Sequence, residues 1–386
     1  MTTQQRPGKS VDWLSDAFLA DPYPYYRELR ESDPVHFDET RSVWILTRYD
    51  DVVRVLRDDT LFSAEHGLTG SMLVSNPPDH TRLRTLVSKA FTPRTVSRLT
   101  ARVEELVDGL LDAVANDGGM EVIAQFAYPL PITVIAELLG VEPDRRAFFR
   151  EASEKIAVAL GPITDPDVAR RAAEGRDDLI GYFNELIPQR TADPRDDLLS
   201  ALVRAEDAGD MLNRGELLAM LLLLLVGGHE TTVNLIGNGL LALLRHPDQL
   251  ALLRRDEGGE SRAVEELLRY DSPVQYSGRL AKEDLEVGGR RIEAGQSVRA
   301  IVAAANHDPA VFADPEGLDL TRDPNPQVAF GSGIHFCLGA PLARLEGAIA
   351  LAAIVRRFPD LRLAGDDLRW RPAAVLRGLV ALPVTF

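Results

Sequence analysis

The chain has 386 residues, 45% of them hydrophobic, with 43 Lys plus Arg against 59 Asp plus Glu, a formal net charge of −16. That length supports a large core, and with no visible linker it reads as one domain spanning 1–386. The acid excess argues against general affinity for nucleic acid or anionic membrane, and a single cysteine excludes intrachain disulfides and multi-cysteine metal clusters, consistent with a reducing cytoplasm.

Met1 to Val11 is polar and lacks the apolar core of a signal peptide. The longest apolar run, Leu217 to Val226, is about half of the roughly 20 residues that a membrane span needs. The expectation is a soluble, cytoplasmic protein acting on a small molecule. The segment opening at Asp21 predicts a short helix that stops before Pro34, and Ser42 to Thr47 reads as a strand through Val43, Trp44 and Ile45. A helix over Asp50 to Arg57 follows. Phe62 to Pro78 has little periodicity and reads as a long loop, a kind of segment that is usually functional inside a compact domain.

Asp79 is a plausible N-cap for the next helix, on which His80 and Arg84, four apart, share one face. Such a pair suits a carboxylate; a solvated basic face is the plainer alternative. From Val96 to Ala208 the pattern is amphipathic helix broken by prolines and glycines, which marks scaffold. Asn213 with Glu216 three residues later predicts the start of a helix that His246-Pro247 ends, on the order of 45 to 50 Å long. Its first half is apolar nearly all round, which means burial. Gly227-Gly228-His229-Glu230-Thr231-Thr232 then breaks that pattern. Two glycines mid-helix cost about 1 kcal/mol each relative to Ala, and a buried carboxylate is costly unless used. Either the glycines permit close packing with Glu230 in an ion pair, or the helix opens there around a ligand.

Glu266 and Arg269 lie at i,i+3 in a helix over about Ser261 to Tyr270 and can pair. Val274 to Arg279 reads as a strand, Leu285 to Ile292 around Gly288-Gly289 as a hairpin, and Val298 to Ala303 as another strand. The lone cysteine lies in Phe330-Gly331-Ser332-Gly333-Ile334-His335-Phe336-Cys337-Leu338-Gly339, followed by Pro341 in the first turn of a helix running to about Phe358. The glycines allow tight turns and close approach of backbone to a bulky flat ligand. The helix N-terminus should favour a thiolate at Cys337, the form that binds metal or attacks electrophiles; a buried structural cysteine is the alternative.

Phe330, Gly333, Cys337 and Gly339 match the pattern Phe-x-x-Gly-x-x-x-Cys-x-Gly, and the segment resembles the haem-binding loop of the cytochrome P450 monooxygenases. Gly228, Glu230 and Thr231 are similar to that family's Gly-x-Glu/Asp-Thr motif, and Glu266 with Arg269 to its Glu-x-x-Arg pair, in the family's order. The resemblance runs from Asp21 to Leu382. It implies a mainly α fold with a smaller β region, drawn from residues near 43–48, 275–303 and a C-terminal hairpin around 376–384. Haem b would lie between the long helix and the cysteine loop.

The resemblance further implies that Cys337 is the thiolate ligand of the haem iron. His80, Arg84, Arg279 and His335 would hold the propionates, with Phe330, Gly331 and Gly339 against the cofactor. Glu230 and Thr231 would pass protons for O–O cleavage. Leu73, Val74, Val226, Gly227, Val274, Tyr276 and Leu376 would face the substrate. Nothing reads as a flavin domain or an iron–sulfur loop, so electrons would come from a separate ferredoxin and its NAD(P)H-dependent reductase. The implied activity is hydroxylation or epoxidation of a small organic substrate. A natural-product intermediate of antibiotic biosynthesis (polyketide, macrolide or peptide) is one reading; catabolism of a terpene or xenobiotic is another. A haem sensor, an electron carrier and a peroxide-driven enzyme are the competing classes.

Overall fold

The computed structural model describes residues 12–65, 70–88, 91–157, 165–207 and 212–386. Met1 to Val11, and residues 66–69 of the loop expected after Phe62, lie outside the described residues.

The long helix starts at the predicted cap. Asn213 Oδ1 accepts from the Glu216 N–H at 3.0 Å, and Glu216 Oε2 accepts from the Asn213 N–H at 2.9 Å, so two otherwise orphaned donors are satisfied reciprocally. The helix covers Arg214–Arg245, 32 residues, or ~48 Å at the usual rise. By length and composition it could cross a membrane, yet 67% of its most apolar window is buried inside the protein, which makes it the core helix. The expected local opening at Gly227-Gly228 is not present. The helix is continuous there, and the Thr231 hydroxyl donates to Gly227 O at 2.9 Å.

Helices on either side enclose this rod. A Cβ at Gly228 would come within 2.9 Å of Ile135 in the helix Pro129–Leu138, so the glycine permits a close crossing. The helix Ala340–Arg357 packs on its second half, where a Cβ at Gly347 would meet Leu235 at 2.9 Å and one at Gly239 would meet Leu351 at 3.3 Å. At Gly227, two to three turns earlier, a Cβ would meet nothing within 4 Å. The helices therefore touch at one end and part toward Gly227.

The β structure is small. The main sheet has the order Val35–Asp38, Val43–Leu46, Ser297–Ala300, Ser277–Ala281, Phe62–Ser63, with the second and third strands parallel and the other pairs antiparallel. Leu285–Val287 and Arg290–Ile292 form the expected hairpin. Some boundaries differ from expectation. Val302–Ala305 is a helical turn and not the end of a strand. Asp79 is the first helical residue, paired with Arg82 at 3.0 Å, and not a cap before the helix. The C-terminal hairpin turns between Trp370 and Leu379, whereas Pro383–Thr385 pairs with Gly119–Glu121 and Arg362–Leu363. Its strand is thus recruited by residues distant in sequence.

One polar network is fully enclosed. Arg269 donates to both oxygens of Glu266 at 2.8 Å, both side chains having 0% exposure. Arg269 also donates to Asn306 O, Pro315 O and Gly317 O, while Glu266 accepts from Arg322, Asn325 and the Asp319 N–H. Breaking a buried pair leaves an uncompensated charge, worth about 3 to 5 kcal/mol. Glu266→Ala should therefore lower the free energy of unfolding by that amount, measured by denaturant titration. A loss under about 1 kcal/mol would place the pair among ordinary surface ion pairs.

Candidate active site

Gly331 and Gly333 have φ of 72° and 73°, and a Cβ at Gly333 would lie 2.6 Å from Leu56 O, so the loop before Cys337 admits no other residue there without strain. This turn carries the Cys337 N–H onto Phe330 O at 2.9 Å. The helix Ala340–Arg357 begins directly after, with Gly339 as N-cap and Pro341 in the first turn. The guanidinium of Arg344 covers the Phe330 ring, 4.6 Å from its centroid. Burial pushes the Cys337 thiol up, and the Gly339 N–H, Arg84, the Ala340 N–H and Arg344 pull it down without cancelling that effect. The helix N-terminus thus favours the thiolate as expected, but desolvation outweighs it. In the protein alone desolvation wins, and a cation bound at sulfur reverses the balance.

Beside the thiol the structure gathers bases and no matching acid. His80 is 2% exposed and neither ring nitrogen has a hydrogen-bond partner; its ring centroid is 4.3 Å from that of His335. Burial and the nearby charges of Arg84 and Arg279 hold the His80 imidazole below its ordinary value. Arg84 donates to Phe336 O at 2.6 Å. Arg279 reaches only Ser277 Oγ at 2.8 Å and Gly278 O at 2.7 Å, with no carboxylate in ion-pair reach among the described residues, and burial pulls its guanidinium down to about 10. A buried cation and a buried imidazole with both nitrogens orphaned mark a place for anionic oxygens. The two propionates of a haem fit these residues, and its iron fits Cys337.

On the long helix, Leu223, Gly227 and Thr231 form an accessible stripe at i, i+4, i+8, beside the partly accessible Leu222 and Gly228 and ahead of a second half that is buried from Thr232 to Leu243. Glu230, 1% exposed, pairs through Oε2 with Arg371 Nη1 at 2.7 Å. Its Oε1 lies 3.4 Å from His229 Nε2, within ion-pair reach but without hydrogen-bond geometry. Burial pushes the Glu230 carboxyl up, but His229 and Arg371 together outweigh it and hold the group below the usual range. Close packing at Gly228 and an ion pair at Glu230 coexist with an open stripe on the adjacent face.

The residues expected near substrate are spread. Val274 bridges Leu376, and Val226 is buried one position before the open Gly227. Leu73 is 51% exposed, in the helical turn Met72–Val74. Tyr276 packs instead in an aromatic core with Trp13, ring centroids 6.0 Å apart, beneath Arg299. Sequence reasoning missed Arg371, which is 141 positions from Glu230, and also His229. His229 carried a signal, a polar residue within an apolar helix; Arg371 carried none.

A lone thiol behind a glycine turn and a cluster of buried bases are the features that a thiolate-held, anionic flat cofactor would use. The cytochrome P450 family model matches residues 34–256 and 261–367. The chain is 45% identical to the cytochrome P450 monooxygenase PikC of Streptomyces venezuelae, over 99% of this chain and 95% of the relative. It is 41% identical to the 6-deoxyerythronolide B hydroxylase of Saccharopolyspora erythraea, over 97% and 98%. The solved structure of the bacillaene polyketide synthase cytochrome P450 PksS of Bacillus subtilis superposes with TM-score 0.91 at 39% identity, covering 97% and 99%. The chain belongs to the cytochrome P450 family and is a monooxygenase of mainly helical fold, and membership implies a haem cofactor.

The charge on Arg279 gives a test separable from catalysis. A guanidinium lowered by burial to about 10 costs the cofactor-free fold on the order of 3 kcal/mol below pH 10, a cost relieved only as pH rises through that value. Arg279→Met should therefore raise the unfolding free energy of haem-free protein at pH 7 while lowering haem retention in a transfer assay. A variant that is less stable without haem, or that retains haem as well as the parent, would show that the guanidinium is balanced by something else.

Proposed function

We propose that residues 1–386 act as one haem b domain that hydroxylates or epoxidises a natural-product intermediate, with polyketides and macrolides as the substrate class. The observation that carries the cofactor assignment is the single thiol together with His80, whose ring nitrogens have no hydrogen-bond partner, and Arg279, which has no carboxylate in ion-pair reach among the described residues. PksS is named for polyketide biosynthesis, and relatives with hydroxylase names share about this degree of identity, which supports the substrate class. Bound haem supplies the activation of dioxygen, one atom entering the substrate and the other leaving as water. Cys337 would hold the cofactor, with Phe330, Gly331 and Gly339 against it, and His80, Arg84, Arg279 and His335 would hold the propionates.

Above, Gly227 leaves room because it carries no side chain, and the apolar rows on the central helix exclude water from the substrate side. Thr231 parks its hydroxyl proton on Gly227 O, from which a rotation about its Cα–Cβ bond turns the hydroxyl into the open stripe. Glu230, fixed through Oε2 by Arg371, leaves Oε1 to take up and release a proton. Electrons come from a ferredoxin and an NAD(P)H-dependent reductase, as in class I bacterial members. The chain works in the cytoplasm.

Cys337→Ser should abolish the red-shifted Soret band of the ferrous carbon monoxide complex; persistence of that band would remove Cys337 as the ligand. Thr231→Ala should bind haem and substrate and consume NADPH while releasing hydrogen peroxide in place of product. Loss of a positioned donor costs about 3 to 4 kcal/mol of transition-state stabilisation, read here as product per NADPH. An unchanged ratio of product to peroxide would assign Thr231 to packing.

A further inference from the structure

Glu230 raises a question that its own helix answers. A carboxyl group held below its usual range by Arg371 and His229 is ionised at neutral pH, so each proton it gives up must be replaced from behind. His229 is the group behind it. Its side chain is 0% exposed, and Nδ1 lies 2.7 Å from Leu225 O, an oxygen that can only accept. Nδ1 therefore carries hydrogen in both charge states, and Nε2 is the nitrogen that gains and loses a proton.

Nε2 faces three oxygens: Ser153 Oγ at 3.1 Å, Tyr128 OH at 3.3 Å and Glu230 Oε1 at 3.4 Å. Ser153 has its own proton drawn to Phe149 O at 2.7 Å and Arg150 O at 3.0 Å, which leaves its oxygen lone pairs for an Nε2–H. Tyr128 can donate to a bare Nε2. Each charge state of the ring thus has a partner, which an ordinary buried histidine does not need. Tyr128 also forms part of the wall of a pocket of about 420 Å³ open to solvent, so a single side chain separates that pocket from Nε2. The charged groups around the path are Arg371 on Glu230, Arg150 over the Tyr128 ring at 4.5 Å, and Glu154 acting on Tyr128.

We propose that His229 is a positioning and proton-storing residue for Glu230, the two side chains sharing one exchangeable proton that is replenished from the Tyr128–Ser153 side. In the transfer a small turn of the imidazole brings the 3.4 Å pair into line, the Nε2–H bond breaks and an Oε1–H bond forms. His229 becomes neutral and keeps Nδ1–H on Leu225 O. Recharging is the reverse at Nε2: Tyr128 passes its hydroxyl proton inward as its oxygen takes one from a hydronium ion delivered through the pocket, which leaves as water, with no net tyrosinate. The inference rests on the reading of Glu230 as the proton donor of the oxygenase reaction.

The test uses haem-loaded His229→Gln, which keeps a hydrogen-bonding amide but cannot hold the second proton. The infrared carboxyl stretch assigned to Glu230 by subtraction of Glu230→Gln gives its protonation midpoint. Removing the neighbouring positive charge should raise that midpoint by about 1 to 3 pH units. With ferredoxin, reductase and NADPH, the same variant should show a larger solvent deuterium isotope effect on turnover and unchanged substrate-induced spin-state titration. Tyr128→Phe should leave the midpoint in place and raise the isotope effect. An unmoved midpoint with unchanged product per NADPH in His229→Gln overturns the role of His229 while Glu230→Gln, if it loses product, upholds that of Glu230. Full product from Glu230→Gln overturns both. Should His229→Gln yield no folded protein, Ser153→Ala takes its place, and an isotope effect equal to that of the parent overturns the proposal.

Discussion

The enclosed Glu266–Arg269 pair sets the position of the loop that carries Cys337. Arg269 seizes three carbonyls of residues 306–317, and Glu266 collects Arg322 and Asn325, so the long irregular stretch between the sheet and Cys337 is tied to one helix. Asn306 continues the chain of constraint: its Nδ2 donates to Ser272, and its Oδ1 accepts from the Val328 N–H at 2.8 Å. Two residues on, Phe330 O holds the Cys337 N–H. A second line runs through Glu265, which accepts from Gln327 at 2.8 Å and from Arg344 at 3.0 Å, spanning the loop from both sides. A thiolate ligand must be held rigidly to set the properties of its metal, and here the rigidity comes from buried charge and hydrogen bonds more than from regular structure.

The central helix meets the opposite demand. It is packed on most of its circumference, yet Gly227 and Thr231 keep one stripe open, and Glu230 on the next face is buried in an ion pair. A carboxylate in that position is costly unless compensated, and Arg371 compensates it through Oε2 while Oε1, 3.4 Å from His229 Nε2, has no hydrogen-bond partner. A purely structural ion pair would gain by satisfying both oxygens. The same helix therefore serves as the main core element and, in the proposed function, as the wall that carries protons.

What the sequence made legible was local. The reciprocal cap at Asn213 and Glu216, the hairpin at Gly288-Gly289 and the helix after Pro341 each depend on residues within four positions of one another, and each was found where the spacing put it. The bases His80, Arg84 and Arg279 came together because the family resemblance, not their spacing, linked them. Long-range pairing was not legible. The strand Val35–Asp38 is short and broken by a histidine, the parallel pairing of Val43–Leu46 with Ser297–Ala300 joins segments about 250 residues apart, and Arg371 reaches Glu230 across 141 positions. The net shift of the thiol was not legible for a related reason: the helix N-terminus that pulls it down is visible in sequence, whereas the desolvation that outweighs it depends on the whole surrounding fold.

The central claim is that Cys337 alone supplies sulfur to the iron of a haem held by His80, Arg84 and Arg279. Iron K-edge X-ray absorption on the haem-loaded protein tests it most directly. The account predicts four nitrogens and one sulfur in the first shell of the parent, and no sulfur when Cys337 is replaced by Ser. A first shell of nitrogen and oxygen alone in the parent would contradict it.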